Sequence, residues 1–257
     1  MRRQQIVTLA RFTLLEAWRT RLLWLFLIAL ALIFGATWFI QQLAITESAR
    51  VQITFSAAAT RLAAVFVLSL HILTSIVREF DDKGLELTLS FALRRADYIL
   101  GRLLGFAMLA LVVALLAALP QWLLAPHAAA LQWGLSLALE LVMLAALSLF
   151  CSVTFPRVMP AAGFVGGFYL LARTLSAIRL ISDTPIAGGE TPTHQLIARL
   201  VDALALVLPA LDRFTQSAWL VDGTGAWPLL GGCALQAALY TALLGAAAMF
   251  DFYRRNL

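Results

Sequence analysis

Charge is what this 257-residue chain lacks most. Only 13% of it is Asp, Glu, Lys or Arg, about half the share of an ordinary soluble domain, while 62% is hydrophobic. So few polar groups do not cover the surface a soluble fold of this length exposes, so a soluble globular protein is excluded. Mean hydropathy is +0.89, and no stretch long enough for a separate water-soluble domain lacks a long apolar segment. Lysine occurs once, at Lys83, so the formal excess of +5 rests on arginines that punctuate apolar runs. A nucleic-acid footprint would gather basic residues on one face with aromatic or polar readers between them, and it is absent. The two cysteines, Cys151 and Cys233, lie in separate apolar segments expected toward different faces, which supports neither a disulfide framework nor a metal site. Also missing are His-Glu-x-x-His, Gly-x-Ser-x-Gly, an acidic pair at helical spacing within a span, and Gly-x-x-x-x-Gly-Lys-Ser/Thr. Metal-dependent or serine hydrolysis is therefore not written here, and the chain binds no ATP by a P-loop of its own.

What is present is a set of apolar runs, each near the ~20 residues that cross a ~30 Å hydrocarbon core as a helix. Six are expected: Leu22–Leu43, Ala57–Val77, Ile99–Leu119, Leu131–Val153, Val158–Ile178 and Trp227–Phe250. The first follows a basic stretch and lacks a small-residue cleavage site, so it is expected to stay in the mature chain. Arginines alternate between loops. Arg2, Arg3, Arg11, Arg19 and Arg21, then Arg78, Lys83, Arg94, Arg95 and Arg102, then Arg157, then Arg254 and Arg255 share one side, which the positive-inside rule makes cytoplasmic. Both termini are expected inside. The region 179–226 is expected outside, with a surface helix over His194–Leu208 started near Thr191 and Pro192 and stopped at Pro209.

Residues Gln4 to Trp18 place Val7, Ala10, Leu14 and Trp18 on one helical stripe, the pattern of an interfacial helix within 1–21. The most charged stretch follows span two, from Arg78 to Tyr98. Acidic Glu79, Asp81 and Asp82 come early and Arg94 and Arg95 late, which suits the dipole of a short helix. Leu85, Leu87 and Leu89 are apolar residues without assigned lipid, which points to a partner surface. Within the spans, Glu140 and Arg173 are expected to pair in the bundle interior, either as a structural ion pair or along a substrate path, and His71 is a candidate polar or proton site. Arg61 is read as snorkelling to the interface. Ala234, Ala238, Ala242 and Ala246, and Gly163 and Gly167, recur at four-residue spacing and are read as helix-packing stripes within one subunit.

The run Arg78-Glu79, then Lys83-Gly84-Leu85-Glu86-Leu87-Thr88-Leu89-Ser90, then Arg94-Arg95-Ala96-Asp97-Tyr98 through Gly105 resembles the segment after the second span of exporter-type ABC transporter permeases. Within that superfamily it is most similar to permeases related to the nitrous oxide reductase maturation exporter, departing from them at Ala92 or a neighbour, where they carry proline. The resemblance implies an all-α integral membrane fold, a single permease domain of six spans over 1–257. An N-terminal interfacial helix, a cytoplasmic coupling helix within 78–98 and an outer helical segment before span six complete it. It implies a second permease copy and two P-loop ATPase subunits that carry ATP and Mg, with no cofactor on this chain. It assigns ATPase coupling to Glu79, Phe80, Asp81, Asp82, Lys83, Gly84, Leu85, Glu86, Leu87 and Leu89. It also implies residence in a bacterial inner membrane. An ion-coupled secondary transporter and a membrane-embedded enzyme are the competing classes.

Overall fold

The computed structural model describes residues 2–43, 48–82, 95–183, 199, 201–205, 207–223 and 227–254, and everything structural below refers to these. The chain forms helices α1 (Arg2–Arg19), α2 (Leu22–Leu43), α3 (Ser48–Asp81), α4 (Arg95–Leu124), α5 (His127–Thr154), α6 (Val158–Asp183), α7 (Ser217–Asp222) and α8 (Trp227–Arg254), with a 3-10 turn over Leu211–Arg213. No strand occurs among the described residues. Six helices, α2 to α6 and α8, are long and apolar enough to cross a membrane, so the chain is a multi-pass membrane protein.

Each expected span is present, and several are longer than hydropathy suggests. α3 begins at Ser48 rather than Ala57, and α4 at Arg95 rather than Ile99. The added turns carry polar residues with tertiary partners. Ser56 is buried and accepts a hydrogen bond from Gln121 at 3.0 Å, and Asp97 and Tyr98 are buried at the start of α4. Helix continues because these groups are satisfied, not because they are apolar.

α5 is the central helix, with 78% of its apolar window buried against 17% for α2. It packs on α3, α4, α6 and α8. Gly134 permits the α4 contact, since a Cβ there would lie 2.9 Å from the Ala118 Cβ. α2 instead exposes Trp24, Leu25, Ile28 and Leu32, as a lipid-facing helix should.

The face at which α1, the Phe155–Arg157 turn and the end of α8 lie is here called proximal. The face with the Pro126 turn and the Arg50–Asp222 ion pair is called distal. The small-residue stripes do not pack as expected. Ala238, Ala242 and Ala246 are exposed, and α8 instead buries Cys233, Ala237, Gly245, Ala248 and Phe252. Nothing lies within 4 Å of a Cβ built on Gly163 or Gly167.

α1 is buried along Ala10, Thr13 and Ala17, while Val7 and Trp18, on the stripe read as interfacial, are exposed. The reason is on α4. Gly101 faces Leu9, and Gly105 faces Thr13 so closely that a Cβ would lie 2.6 Å from the threonine Cβ. The four-residue spacing of Leu9 and Thr13 on α1 matches that of Gly101 and Gly105 on α4, so the ridge of one helix fits the groove of the other. Arg21, at φ 57, breaks the chain between α1 and α2. A Gly105→Leu variant should therefore lift α1 off α4, lowering stability by roughly 1–3 kcal/mol through overpacking. A thiol placed at Ala10, which is 2% exposed, should become reactive in that background.

Candidate functional site

Two polar clusters occupy opposite ends of the bundle, and each ties together segments distant in sequence. At the proximal end, α4 supplies Arg102, set into the bundle by the close α1 approach at Gly101 and Gly105. Its guanidinium donates to Glu16 Oε2 at 2.9 Å, to Thr13 Oγ1 at 3.3 Å and to Glu79 Oε2. The Ser75 hydroxyl donates to Glu16 Oε1, and the Tyr98 hydroxyl donates to Glu79 Oε2 at 2.8 Å. α1, the end of α3 and the start of α4 thus share one buried ion network, whose central Arg102 side chain is 8% exposed.

α8 joins through Phe252, which stacks on Tyr98 with ring centroids 5.6 Å apart and meets Phe80 edge-on at 6.4 Å. Arg95 donates to the carbonyls of Phe252 and Tyr253, both at 3.3 Å, where the last turn of α8 has no intrahelical donors.

Burial raises the Glu16 carboxyl, but hydrogen bonds from Ser75 and Arg102, with the positive charge beside it, outweigh burial and hold it below the usual carboxylate value. A group depressed on folding contributes stability above its ordinary pKa and loses it as pH falls through the folded value. Acidification from pH 7 toward 3 should therefore lower the thermal midpoint of wild type more than that of Glu16→Gln, read by circular dichroism in detergent.

Of the expected coupling residues, Glu79 faces the network and Phe80 packs against the core, whereas Asp81 and Asp82 are exposed. Lys83, Gly84, Leu85, Glu86, Leu87 and Leu89 lie outside the described residues. Of the expected His194–Leu208 helix, residues 194–198, 200 and 206 lie outside them too, while 199, 201–205 and 207 are helical.

The distal cluster is built on Thr215, a non-glycine residue at φ 45. Its N–H donates to Ser136 Oγ at 3.0 Å and its hydroxyl to Glu140 Oε2 at 2.6 Å. Its carbonyl accepts from Arg61 at 3.3 Å and Arg173 at 3.5 Å. Arg173 also donates to the carbonyls of Leu211 and, at 2.8 Å, Phe214. A left-handed threonine costs on the order of 1–3 kcal/mol and persists where its surroundings over-determine it, as four partners do here.

Glu140 and Arg173 are therefore brought together, though not as a direct ion pair. They meet through the backbone and hydroxyl of Thr215. Arg61, read as a simple snorkelling residue, is a third member. Glu140 stands ~21 Å up α5 from Thr154, Arg173 ~22 Å up α6 from Val158, and Arg61 ~26 Å up α3 from Arg78, all within the distal third of a ~30 Å core. Residues 209–216 accordingly dip into the bundle from the distal side. Non-helical backbone at that depth is tolerated only when protein satisfies it, and the two arginines do so.

His71 is 7% exposed on α3, and its Nε2 has no partner. Among the described residues no group of His, Cys, Asp or Glu could hold a metal, and both cysteines are free. Sequence reasoning missed Arg102 by counting it among loop charges. The available signal was an arginine flanked by Gly101 and Gly105 inside an apolar run.

The fold and the two buried clusters define a six-span integral membrane protein. Compared with protein-family models and with curated proteins, the chain matches none.

Proposed function

We propose that this chain is the permease subunit of an ATP-binding-cassette exporter, resident in a bacterial inner membrane with its proximal face and both termini cytoplasmic. Two separate P-loop ATPase subunits hold ATP and Mg, and a second permease copy completes the pathway. The observation that carries the reading is the Glu16–Arg102–Glu79 network. It clamps α1, α3 and α4 into one body around the connection between α3 and α4, where the sequence resembles a coupling helix. A force applied at 83–94 would then move three helices together, as alternating access requires. In this reading Asp81 and Asp82 border the ATPase contact, while Glu79 and Phe80 transmit motion from behind it. Arginine at the proximal ends of the spans supports the orientation, and the uncovered glycines of α6 and alanines of α8 suit a second copy.

Purification from native membranes in mild detergent tests this. A P-loop ATPase recovered at two copies per two permeases, and lost when Gly84, Leu85 and Glu86 are all replaced by alanine, is the expected result. A chain recovered alone in both preparations counts against it.

One observation favours ion-coupled transport as a second reading. Glu140 is fully buried in a span, where its carboxylate meets only the hydroxyls of Thr215 and Tyr169 and no cation directly among the described residues. Transport that survives ATP depletion but stops when the ion gradient is collapsed would select that reading.

A further inference from the structure

Between the start of α2 and α3, opening at the proximal side, lies a cleft of about 400 Å3. Its mouth is polar, with Thr20, Thr74 and Arg78, and the wall that runs from there toward the bilayer centre is apolar, with the lipid-facing Leu25 and Phe66 and the half-buried Leu70. A second groove of about 460 Å3 runs between α3 and α6 and is almost wholly apolar. Phe66 and Leu70 border both, so the two grooves straddle one ridge of α3.

Three features point to an occupant. Arg19 and Arg21 flank Thr20 at the mouth, are exposed, and have no ion-pair partner among the described residues. Among the described residues Arg78 has only an exposed 3.4 Å pair with Asp82. Glu16, the acidic group in the cleft wall, is already neutralised by Arg102. His71, in the same wall, buries an Nε2 with no partner. It sits ~10 Å along α3 from Arg78 toward the membrane centre, just below an interfacial layer of about 5–7 Å.

We propose that this cleft binds a diacyl glycerophospholipid with an anionic headgroup. The headgroup lies among Arg19, Arg21 and Arg78, and His71 Nε2–H donates to an ester oxygen. One acyl chain follows Leu25 and Phe66 in the first groove and the other crosses into the α3–α6 groove. The shape of the ligand matches the site: a polar head above two tails divided by one ridge. Basic pockets between membrane helices select anionic lipid for the same electrostatic reason. This inference does not depend on the exporter reading.

The test uses the full chain, stripped of native lipid by detergent exchange and offered equal amounts of dioleoyl phosphatidylglycerol and dioleoyl phosphatidylcholine, with adducts counted by native mass spectrometry. Wild type should retain one phosphatidylglycerol per chain in preference to phosphatidylcholine. The triple variant Arg19→Gln, Arg21→Gln, Arg78→Gln should lose about fivefold of that preference per arginine, with its thermal midpoint unchanged. Leu70→Trp, which fills the shared ridge, should weaken both lipids, and His71→Phe should weaken both severalfold without altering their ratio. Equal retention of the two lipids by wild type, or an unaltered preference in the triple variant, would overturn the proposal. So would a lipid-free dimer that Leu70→Trp dissociates, because a second copy would then cover the grooves.

Discussion

Replacing Arg102 with methionine is expected to destabilise the protein by about 3–5 kcal/mol and to release α1 from the bundle. The guanidinium is the only cation bound to Glu16 and Glu79 among the described residues, and its side chain is almost wholly buried. Removing it leaves two acidic groups facing each other in a poorly solvated pocket. Much of the cost is that uncompensated charge rather than the bonds themselves. The double variant Arg102→Met/Glu79→Gln should therefore be more stable than Arg102→Met alone. Arg102→Lys should recover only part, because one ammonium does not reproduce a fork reaching two carboxylates and Thr13. Thermal unfolding in detergent, with reactivity of a thiol at position 10, checks both. Equal stability of wild type and Arg102→Met would show that the network holds nothing.

The second large effect is expected at the distal end. Arg173→Met removes the donor that satisfies the carbonyls of Leu211, Phe214 and Thr215, leaving the inserted 209–216 backbone short of partners. Hydrogen bonds to a charged group contribute ~1.5–3 kcal/mol, so opening of the segment should become roughly 10- to 150-fold more frequent. The chain supplies its own reporter. Cys233 is 4% exposed, with its thiol 3.8 Å from the Arg213 carbonyl. Maleimide labelling of Cys233 should accelerate by that factor in Arg173→Met and vanish on Cys233→Ala. Cys151, fully buried near the proximal end of α5, should stay unreactive throughout. An unchanged labelling rate would mean that the segment is held by apolar contacts such as Phe214, not by the arginine.

Both effects concern residues whose importance reads poorly from the linear chain. Glu140 and Arg173 stood out because isolated charge in an apolar run is expensive. Arg61 and Arg102 did not, because a charge near a span end has the cheap alternative of reaching water. Distinguishing the two cases requires knowing what packs against the span end. Gly101 and Gly105 bring α1 within contact of α4 there, and the 209–216 segment covers Arg61. Thr215 carried no signal at all, since its left-handed backbone comes from four partners on three other helices and not from its own preference.

The solvent, the number of spans and their approximate limits were already legible in composition and run length, because a bilayer imposes the same length on every crossing helix. The sequence also placed the charged residues at helix ends and in two spans. Packing alone reveals which faces of those helices meet, that α1 docks by its small residues, and that Glu140 and Arg173 meet through a third residue. The reason is that lipid tails are as apolar as the helix faces, so burial of apolar surface does not choose among partners within the membrane. Close approach at small residues and satisfaction of buried polar groups make that choice, and both depend on neighbours far away in the chain.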